Sequence, residues 1–419
     1  MSQSRATPAT TPAPPAWPSD ALTHGNAPFL RAPEGVNTVF LVTLFAACGP
    51  LAAGVAFFGW RALAVAGLCV TTCGIAESLV YSFTRVPALL GRSHAFLTGL
   101  LLALTLPPFT PWYVAVTASV FAIIVGKAVF GGVGHFLWQP ALVGRLAVAV
   151  LFPVVLNPPA WPLLAQSQLV VGDIAEARRV DDYSAWRHTP PPRQADAFLL
   201  HPPADILGGL SDHQQPEFSA LLYLDQREPH PKPAALLQMP PVNDLLYGAR
   251  PGGIGETSAI IILIAGLYLI YRTYIKWQLP VMFLLSAAVV AAVAPVHFAR
   301  TGDTVQAVWW PFLHEGADVG FIYVCYQLLA GEMLLAAFFL ATEMTTRPVT
   351  SGGQVIFAVG CGSLAMILQL YRQVPIPAYM AVLAMNTFVP AIDSLWRPRV
   401  LGRPFFWRLR RKRNDFGED

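Results

Sequence analysis

The chain has 419 residues, of which 55% are hydrophobic and only 12% are charged, and its formal net charge is +3. A soluble domain usually carries about a quarter charged residues, so these few charges cannot cover a water-facing surface. The small net charge gives no indication of nucleic-acid binding, and the apolar residues occur in long runs, which is typical of helices that face lipid.

The predicted elements begin with residues 1–36, which are rich in Pro, Ala, Thr and Ser and lack the apolar core of a signal peptide. This composition predicts a disordered cytoplasmic N-terminus. Ten apolar runs follow as candidate transmembrane spans, namely 37–58, 62–84, 95–107, 112–131, 140–156, 257–272, 278–297, 320–341, 353–371 and 376–395. The third run is short and ends at a Pro-Pro pair, which is compatible with a half-helix that protein shields from lipid. The sequence thus predicts an all-α polytopic membrane protein of about ten transmembrane helices.

The runs form two groups of five on either side of a long loop. Residues 37–156 make the first five-helix half and 257–396 the second, while 157–256 form a Pro-rich external loop and 397–419 a basic cytoplasmic tail. Because each half has an odd number of spans, the two halves are expected to be inverted relative to each other, as in many transporters.

Lysine and arginine follow mainly the even-numbered runs. The residues concerned are Arg85, Arg92, Arg272, Lys276 and Arg347, followed by the basic tail. Since positive residues concentrate in cytoplasmic loops, both termini are predicted to be cytoplasmic in a bacterial inner membrane.

The five cysteines all fall inside apolar runs, and only Cys69 and Cys73 are one helical turn apart. With no second pair at ligand spacing, we expect neither disulfides nor a metal site, and small packing residues are the preferred interpretation.

A glycine-rich stretch ends the fourth run. It contains Lys127, Gly131, Gly132 and Gly134 and is followed by Gln139. A lysine at the end of an apolar helix can simply extend to the membrane interface. Glycines, however, allow a backbone or a flat ligand to approach closely. These five residues are therefore candidates for binding a cofactor.

Glu256 opens the sixth run directly after a glycine-rich turn, Pro251 to Gly255. One interpretation is structural, with the carboxylate accepting hydrogen bonds from the first turn of the helix. The other is functional, with an acid placed at the mouth of a cation path. Both remain open from the sequence.

Two more acids, Glu343 and Asp393, lie near the ends of apolar runs and are the other candidates for the ion path. Acids inside the membrane are costly and indicate function, although the cost is modest at a helix end. Glu77 and Glu332 lie deeper and need a partner, and Arg145 is a candidate partner for one of them.

Several blocks occur together in an order typical of one family. They are Leu97–Pro108, Gly126–Gly134, Pro140-Ala141, Gly255–Ser258, Ala341-Thr342, Pro348–Thr350 and Asn386 with Pro390 and Asp393. On these blocks the chain resembles the RnfD/NqrB family from about residue 27 to residue 400.

The resemblance implies ten helices in two inverted halves and a place beside other subunits in a complex of the Rnf or Nqr type. Such a chain is a subunit of a redox-driven ion translocase that moves Na⁺ or H⁺, rather than a stand-alone enzyme. The family also implies an FMN attached to the Thr of a D-x-x-S-G-A-T motif in the outer loop. Riboflavin or another second flavin is implied near the glycine-rich stretch.

The chain departs from the family at the flavin attachment motif. Asp181 and Ser184 are kept, but Arg187 stands where the acceptor Thr belongs, and Thr189 lies two residues further on. Arginine has no hydroxyl with which to form a phosphoester. Ser184 and Thr189 therefore stay as the candidate flavin-binding residues of the loop.

Two hypotheses follow. In the first, the chain is an electron-transfer subunit that binds flavin, either covalently or without a covalent bond. In the second, it is a flavin-poor relative that acts as a scaffold or as an ion- or solute-conducting subunit. An unrelated solute transporter is the remaining alternative.

Overall fold

The structure is a computed structural model, and it describes residues 35–84, 93–132, 134–156, 161–164, 178–179, 197–200, 242–248, 252–299, 305–314, 317–371 and 375–396. The helices before the central loop are α1 (Val36–Phe58), α2 (Trp60–Thr84), α3 (Ser93–Thr105), α4 (Trp112–Ile123), α5 (Pro140–Leu151) and α6 (Pro153–Leu156). Helix α4 continues as a π-helical segment, Ile124–Ala128.

The later helices are α7 (Val242–Tyr247), α8 (Ala259–Tyr271), α9 (Gln278–Val293), α10 (Pro311–His314), α11 (Ala317–Leu329), α12 (Met333–Leu335), α13 (Ser351–Leu370) and α14 (Pro377–Leu395). Helix α12 also continues as a π-helical segment, Ala336–Leu340. Such π segments occur frequently at functional sites.

Short strands lie in the segments between the apolar helices, so the chain is predominantly rather than entirely α-helical. The strands are β1 (Trp161–Leu164), β2 (Arg178–Arg179), β3 (Ala197–Leu200), β4 (Val296–Ala299) and β5 (Val305–Val308). Strand β3 pairs antiparallel with β1 and parallel with β2. Strands β4 and β5 form a separate antiparallel pair.

Four of the described helices, α1, α2, α13 and α14, are long and apolar enough to cross a membrane alone. Helices α11 and α12 pass the same test together but bend by 66° where they join. Helices α3, α4, α5, α8 and α9 are apolar and shorter. The 13 residues of α3 extend about 20 Å, whereas the hydrocarbon core is about 30 Å thick. The chain is thus a multi-pass membrane protein, and its short third run is confirmed as a short helix.

Local sequence explains where several helices begin. Gln139 precedes Pro140, the first residue of α5, and its Oε1 accepts a hydrogen bond from the Leu142 N–H at 3.2 Å. Thr350 caps α13 in the same way, because its Oγ1 accepts from the Gly353 N–H at 3.1 Å. Proline has no N–H to lose at a first helical position.

Glycines bring the helices that carry the site into close contact. A Cβ at Gly144 on α5 would overlap the carbonyl oxygen of Ala118 on α4. A Cβ at Gly54 on α1 would overlap the backbone of Ile254, just before α8. Small residues at helix interfaces allow this approach in membrane proteins, and it fixes the segment around residue 254 against α1.

Candidate functional site

The end of α3 and the segment before α8 meet inside the protein. The Ile254 N–H donates to the Leu106 carbonyl at 3.0 Å, and the Gly255 N–H donates to the Leu104 carbonyl at 2.8 Å. These bonds satisfy carbonyls that a helix end leaves without partners. In a membrane no water is available for this purpose, so irregular backbone requires such protein contacts.

A second break separates α11 from α12, and it positions Glu332. This side chain is 8% exposed, and its Oε1 accepts hydrogen bonds from the Ala378 N–H at 2.5 Å and the Tyr379 N–H at 3.4 Å. These amides belong to the first turn of α14, a 19-residue helix. The positive end of the helix dipole stabilises a carboxylate there.

Tyr379 connects Glu256 to Glu332, because its N–H donates to Glu332 and its hydroxyl donates to Glu256. Glu256 Oε2 accepts from the Gly253 N–H at 3.0 Å, and Glu256 Oε1 accepts from the Tyr379 hydroxyl. Helix α8 begins three residues later, at Ala259. The carboxylate therefore closes the turn ahead of α8 and also reaches α14, and whether its role is structural or belongs to a cation path stays a prediction.

Arg145 completes this group, which we name the break cluster (Arg145, Glu256, Glu332 and Tyr379). The guanidinium is 3% exposed, and its Nε donates to the Thr105 carbonyl at the end of α3, at 3.0 Å. It interacts electrostatically with both Glu332 and Glu256. Its Nη1 has no hydrogen-bond partner among the described residues. Arg145 is thus the nearby positive charge of Glu332 and not of Glu77.

The residues of α1 that contact the segment around Glu256 show how far along that helix the break cluster lies. Ile254 contacts Gly54, and Ile261 contacts Gly49. Helix α1 ends at Phe58, after both Gly54 and Gly49. At 1.5 Å per residue, Glu256 therefore lies level with a part of α1 that is about 6–14 Å from this end. Glu256 is partly exposed, which leaves one member of the cluster accessible.

Lys127 belongs to a separate buried group. It is 2% exposed, and its Nζ donates to Glu77 Oε1 at 2.5 Å. The π-helical segment Ile124–Ala128 carries Lys127, and α2 carries Glu77. The lysine does not extend to a membrane interface, so the snorkelling interpretation is wrong and Glu77 has its partner.

His94 and Glu343 form a second buried pair in the same region. The His94 Nε2 lies 3.1 Å from Glu343 Oε1, and the imidazole is fully buried. The ring packs against Phe40 and Phe136, with centroids 4.8 Å and 5.5 Å away. Lys127 also interacts electrostatically with Glu343. We name these residues (Glu77, His94, Lys127 and Glu343) the lysine cluster.

A pocket of about 90 Å³ adjoins the lysine cluster. Its lining includes Glu77, Tyr81, Lys127, Gly131 and Gly132. Both glycines have positive φ and open space where a Cβ would stand. Pockets for drug-sized ligands usually measure roughly 300–1,000 Å³. The two glycines would let a flat ring, such as that of a flavin, approach the backbone closely. The volume of the pocket, however, is too small for a tricyclic flavin.

The remaining predicted residues lie elsewhere. Gly134 has φ +92° and no atom within 4 Å of a Cβ position. Gln139 caps α5, and its Nε2 has no partner among the described residues. Asp393 accepts from the Val349 N–H at 3.2 Å near the start of α13. In the part of the chain that the structure describes, no hydrogen bond or ion pair joins Glu256, Glu343 and Asp393.

Ser184, Thr189 and Arg187 lie outside the described residues, so the flavin-attachment prediction stays a prediction. Sequence reasoning missed His94 and Tyr379 as members of the two clusters. His94 and Glu343 are 249 residues apart, and Tyr379 and Glu256 are 123 apart. A histidine at the start of an apolar run was the one available signal for the first of these pairs.

Buried acids, a buried arginine and a buried lysine beside helix breaks and π-helical segments of a multi-pass protein are typical of integral membrane proteins that move ions. Comparison with known proteins identifies the family. The model of the NQR2, RnfD, RnfE family matches residues 23–402, and the chain belongs to this family.

Relatives extend the comparison over nearly the whole chain. The chain is 32% identical to the D subunit of the ion-translocating oxidoreductase complex of Halorhodospira halophila, covering 90% of this chain and 94% of that protein. It is 30% identical to the D subunit of the proton-translocating ferredoxin:NAD(+) oxidoreductase complex of Clostridium ljungdahlii, covering 91% and 96%. It is 28% identical to the Na(+)-translocating counterpart of Acetobacterium woodii, covering 91% and 95%.

The Lys127–Glu77 pair gives a first testable prediction. Lys127→Met leaves a buried carboxylate without its partner, which should lower the free energy of unfolding by about 3–5 kcal/mol. Adding Glu77→Leu should recover most of that loss. Lys276→Met removes an exposed lysine and serves as the control, with a change within about 0.5 kcal/mol. Thermal unfolding in detergent measures all four proteins, and a stable Lys127→Met variant would contradict the prediction.

Proposed function

We propose that this chain is the D-type membrane subunit of an Rnf-type complex, which couples electron transfer to the movement of Na⁺ or H⁺ across a bacterial inner membrane. The proposal is supported by membership of the family and by the functions for which the relatives are named. Two relatives are named for different ions, so the comparisons leave the choice of ion open. The other subunits of the complex are the proposed partners.

The break cluster is the observation that carries this proposal. Two carboxylates and one guanidinium lie together where two helices are interrupted. When all three are ionised the cluster has a net charge of −1, and buried net charge is costly. Binding one cation neutralises it. Glu256 and Glu332 would bind that cation, while Tyr379 and the α14 amides hold the two carboxylates in place.

The ten spans and their inverted halves are part of the same proposal. Each of the ten apolar runs contains a described helix, with α11 and α12 counted as one bent span. Packing also repeats between the halves. Contacts α1–α3, α2–α4 and α4–α5 in the first half correspond to α8–α12, α9–α13 and α13–α14 in the second. The third span is irregular in each half, and α1–α8 and α5–α14 join the two halves.

Flavin binding is a further proposal that remains within this function. The open glycines beside Lys127 support a flavin near that turn, and a wider pocket would then be needed. The pocket of about 90 Å³ and Arg187 favour the second candidate, a flavin-poor subunit that conducts ions or acts as a scaffold. For this reason no step of the mechanism is assigned to a flavin.

Replacing Glu256 tests the ion-path proposal. Glu256→Gln keeps the shape and the bond from the Gly253 N–H but removes the charge. We expect the complex to assemble, while the apparent affinity for the transported cation falls by roughly tenfold, equivalent to about 1.4 kcal/mol. Asp318→Asn, at an exposed acid in the first turn of α11, is the matched control. Unchanged cation dependence in an assembled Gln variant would leave Glu256 with a structural role only.

Reporter fusions test the proposed orientation. A reporter at Gln214 in the central loop should give an external signal, and one after Asp419 should give a cytoplasmic signal. The reason is the distribution of lysine and arginine between the loops. Identical signals from the two fusions would refute the orientation and the odd number of spans between them.

Mass spectrometry tests the attachment motif. Arg187 should carry no flavin, because its guanidinium offers only nitrogen donors, and the peptide from Ser184 to Arg193 is the one to measure. Acid precipitation then separates covalently attached flavin, which stays in the pellet, from flavin that is bound without a covalent bond. As a positive control, Ala185→Gly, Trp186→Ala and Arg187→Thr together restore the family motif for a flavin transferase. An adduct on Ser184 or Thr189 of the wild type would show a shifted register.

A further inference from the structure

We propose that the lysine cluster is a proton-binding site, in which one proton is carried by the His94–Glu343 pair. This inference rests on the proposed function and assigns the ion handled at this point of the path. Four elements contribute to the site: α2, α3, the π-helical segment after α4 and the turn after the π-helical segment of α12. All four side chains are at least nine-tenths buried.

The charges of the cluster require one further positive charge. Glu77 and Glu343 contribute −2 when ionised, and Lys127 contributes +1. With a neutral His94 the buried total is −1, and one proton on the imidazole brings it to zero. Uncompensated charge in a low-dielectric interior is costly. Histidine is the side chain that normally gains and loses a proton between pH 5 and 8.

The oxygens that remain open favour a proton over a metal cation. The Lys127 Nζ donates to Glu77 Oε1 at 2.5 Å, and the His94 Nε2 lies 3.1 Å from Glu343 Oε1. Among the described residues, Glu77 Oε2 and Glu343 Oε2 have no hydrogen-bond partner, so two carboxylate oxygens of the cluster remain open. The Lys127 ammonium is close enough to interact with Glu343 and would repel a metal cation. An alkali ion needs several oxygen ligands, whereas a proton needs only one lone pair on an imidazole nitrogen.

Other groups around His94 do not supply the missing charge. On α2, Tyr81 lies beside Glu77 and lines the adjoining pocket. From α1 and from the turn before α5, the uncharged rings of Phe40 and Phe136 pack against the imidazole. Thr98 Oγ1 lies 3.4 Å from Nδ1. Within the described part of the chain, the charged groups facing His94 are thus those of the lysine cluster.

The proton step is simple to balance. A hydronium ion transfers its proton to the imidazole nitrogen of neutral His94 that carries no hydrogen, which forms an N–H bond and leaves water. The imidazolium then donates its Nε2–H to Glu343 Oε1. On release the N–H bond breaks, and the proton passes to a water molecule, which restores the neutral ring. The pocket beside Glu77 and Lys127 gives water a place next to the cluster.

Proteoliposomes containing the complete complex test this assignment. With reduced ferredoxin and NAD⁺, the donor and acceptor named for two relatives, the ratio of protons moved to electrons transferred is measured with and without added sodium. His94→Gln should lower this ratio by roughly tenfold or more, because the amide cannot carry the proton. His135→Gln changes an exposed histidine just after the glycine turn and should keep the wild-type ratio.

A stability measurement supplies a readout that is independent of turnover. The melting temperature is measured between pH 6 and 8, because a proton that is bound in the folded protein and released on unfolding makes stability depend on pH. His94→Gln alone should lower the melting temperature at pH 6, since the −1 charge is no longer neutralised. Adding Glu343→Gln removes that charge and should restore the melting temperature. In the double variant, the melting temperature should no longer show the additional pH dependence that the wild type and the His135→Gln variant share.

The outcomes separate the inference from the proposed function. A His94→Gln complex with the wild-type proton ratio and the wild-type pH dependence of melting would overturn the proton site. Movement of sodium without protons by the wild-type complex would also overturn it, while leaving the proposed function intact. Absence of any ion movement coupled to electron transfer in the assembled wild-type complex would overturn both.

Discussion

The hydrogen bonds at the two helix breaks are the contacts on which the rest of the structure depends. A helix that ends inside a membrane leaves carbonyls and amides that water cannot reach. Here the end of α3 bonds to Ile254 and Gly255, and the start of α14 bonds to Glu332. Each break is thus completed by a residue distant in sequence. Satisfying the backbone therefore brings the acids of both breaks together, with Arg145 beside them.

In the described part of the chain, buried charges occur mainly in clusters, and their pairing has a physical reason. Removing one partner of a buried ion pair lowers the free energy of unfolding far more than removing one partner of an exposed pair. Replacing both partners with apolar residues often leaves the stability unchanged. The pairs Lys127–Glu77 and His94–Glu343 are therefore poorly explained by stability alone. The Lys127–Glu77 pair lines a pocket beside a glycine turn, and this placement accords with groups that exchange a proton or an ion.

The family match covers both the helices and the loop that contains Arg187. It extends from residue 23 to residue 402 and so includes the helices, their breaks and the central loop. At Arg187 the hydroxyl needed for a phosphoester is missing. A helix bundle can persist without such a residue, because its stability does not depend on a loop side chain. Membership of the family therefore does not by itself establish a flavin in this chain.

By itself, the sequence determined the membrane class, the ten apolar runs and the short third run, because lipid imposes length and polarity on each segment separately. It also indicated Glu77, Glu256 and Glu332 as costly acids, since that cost is local. Only the tertiary structure decided their partners. Lys127 pairs with Glu77 across 50 residues, and Tyr379 reaches Glu256 across 123. Such contacts depend on helix packing and on the path of the chain at the breaks, and periodicity along one segment contains no information about either.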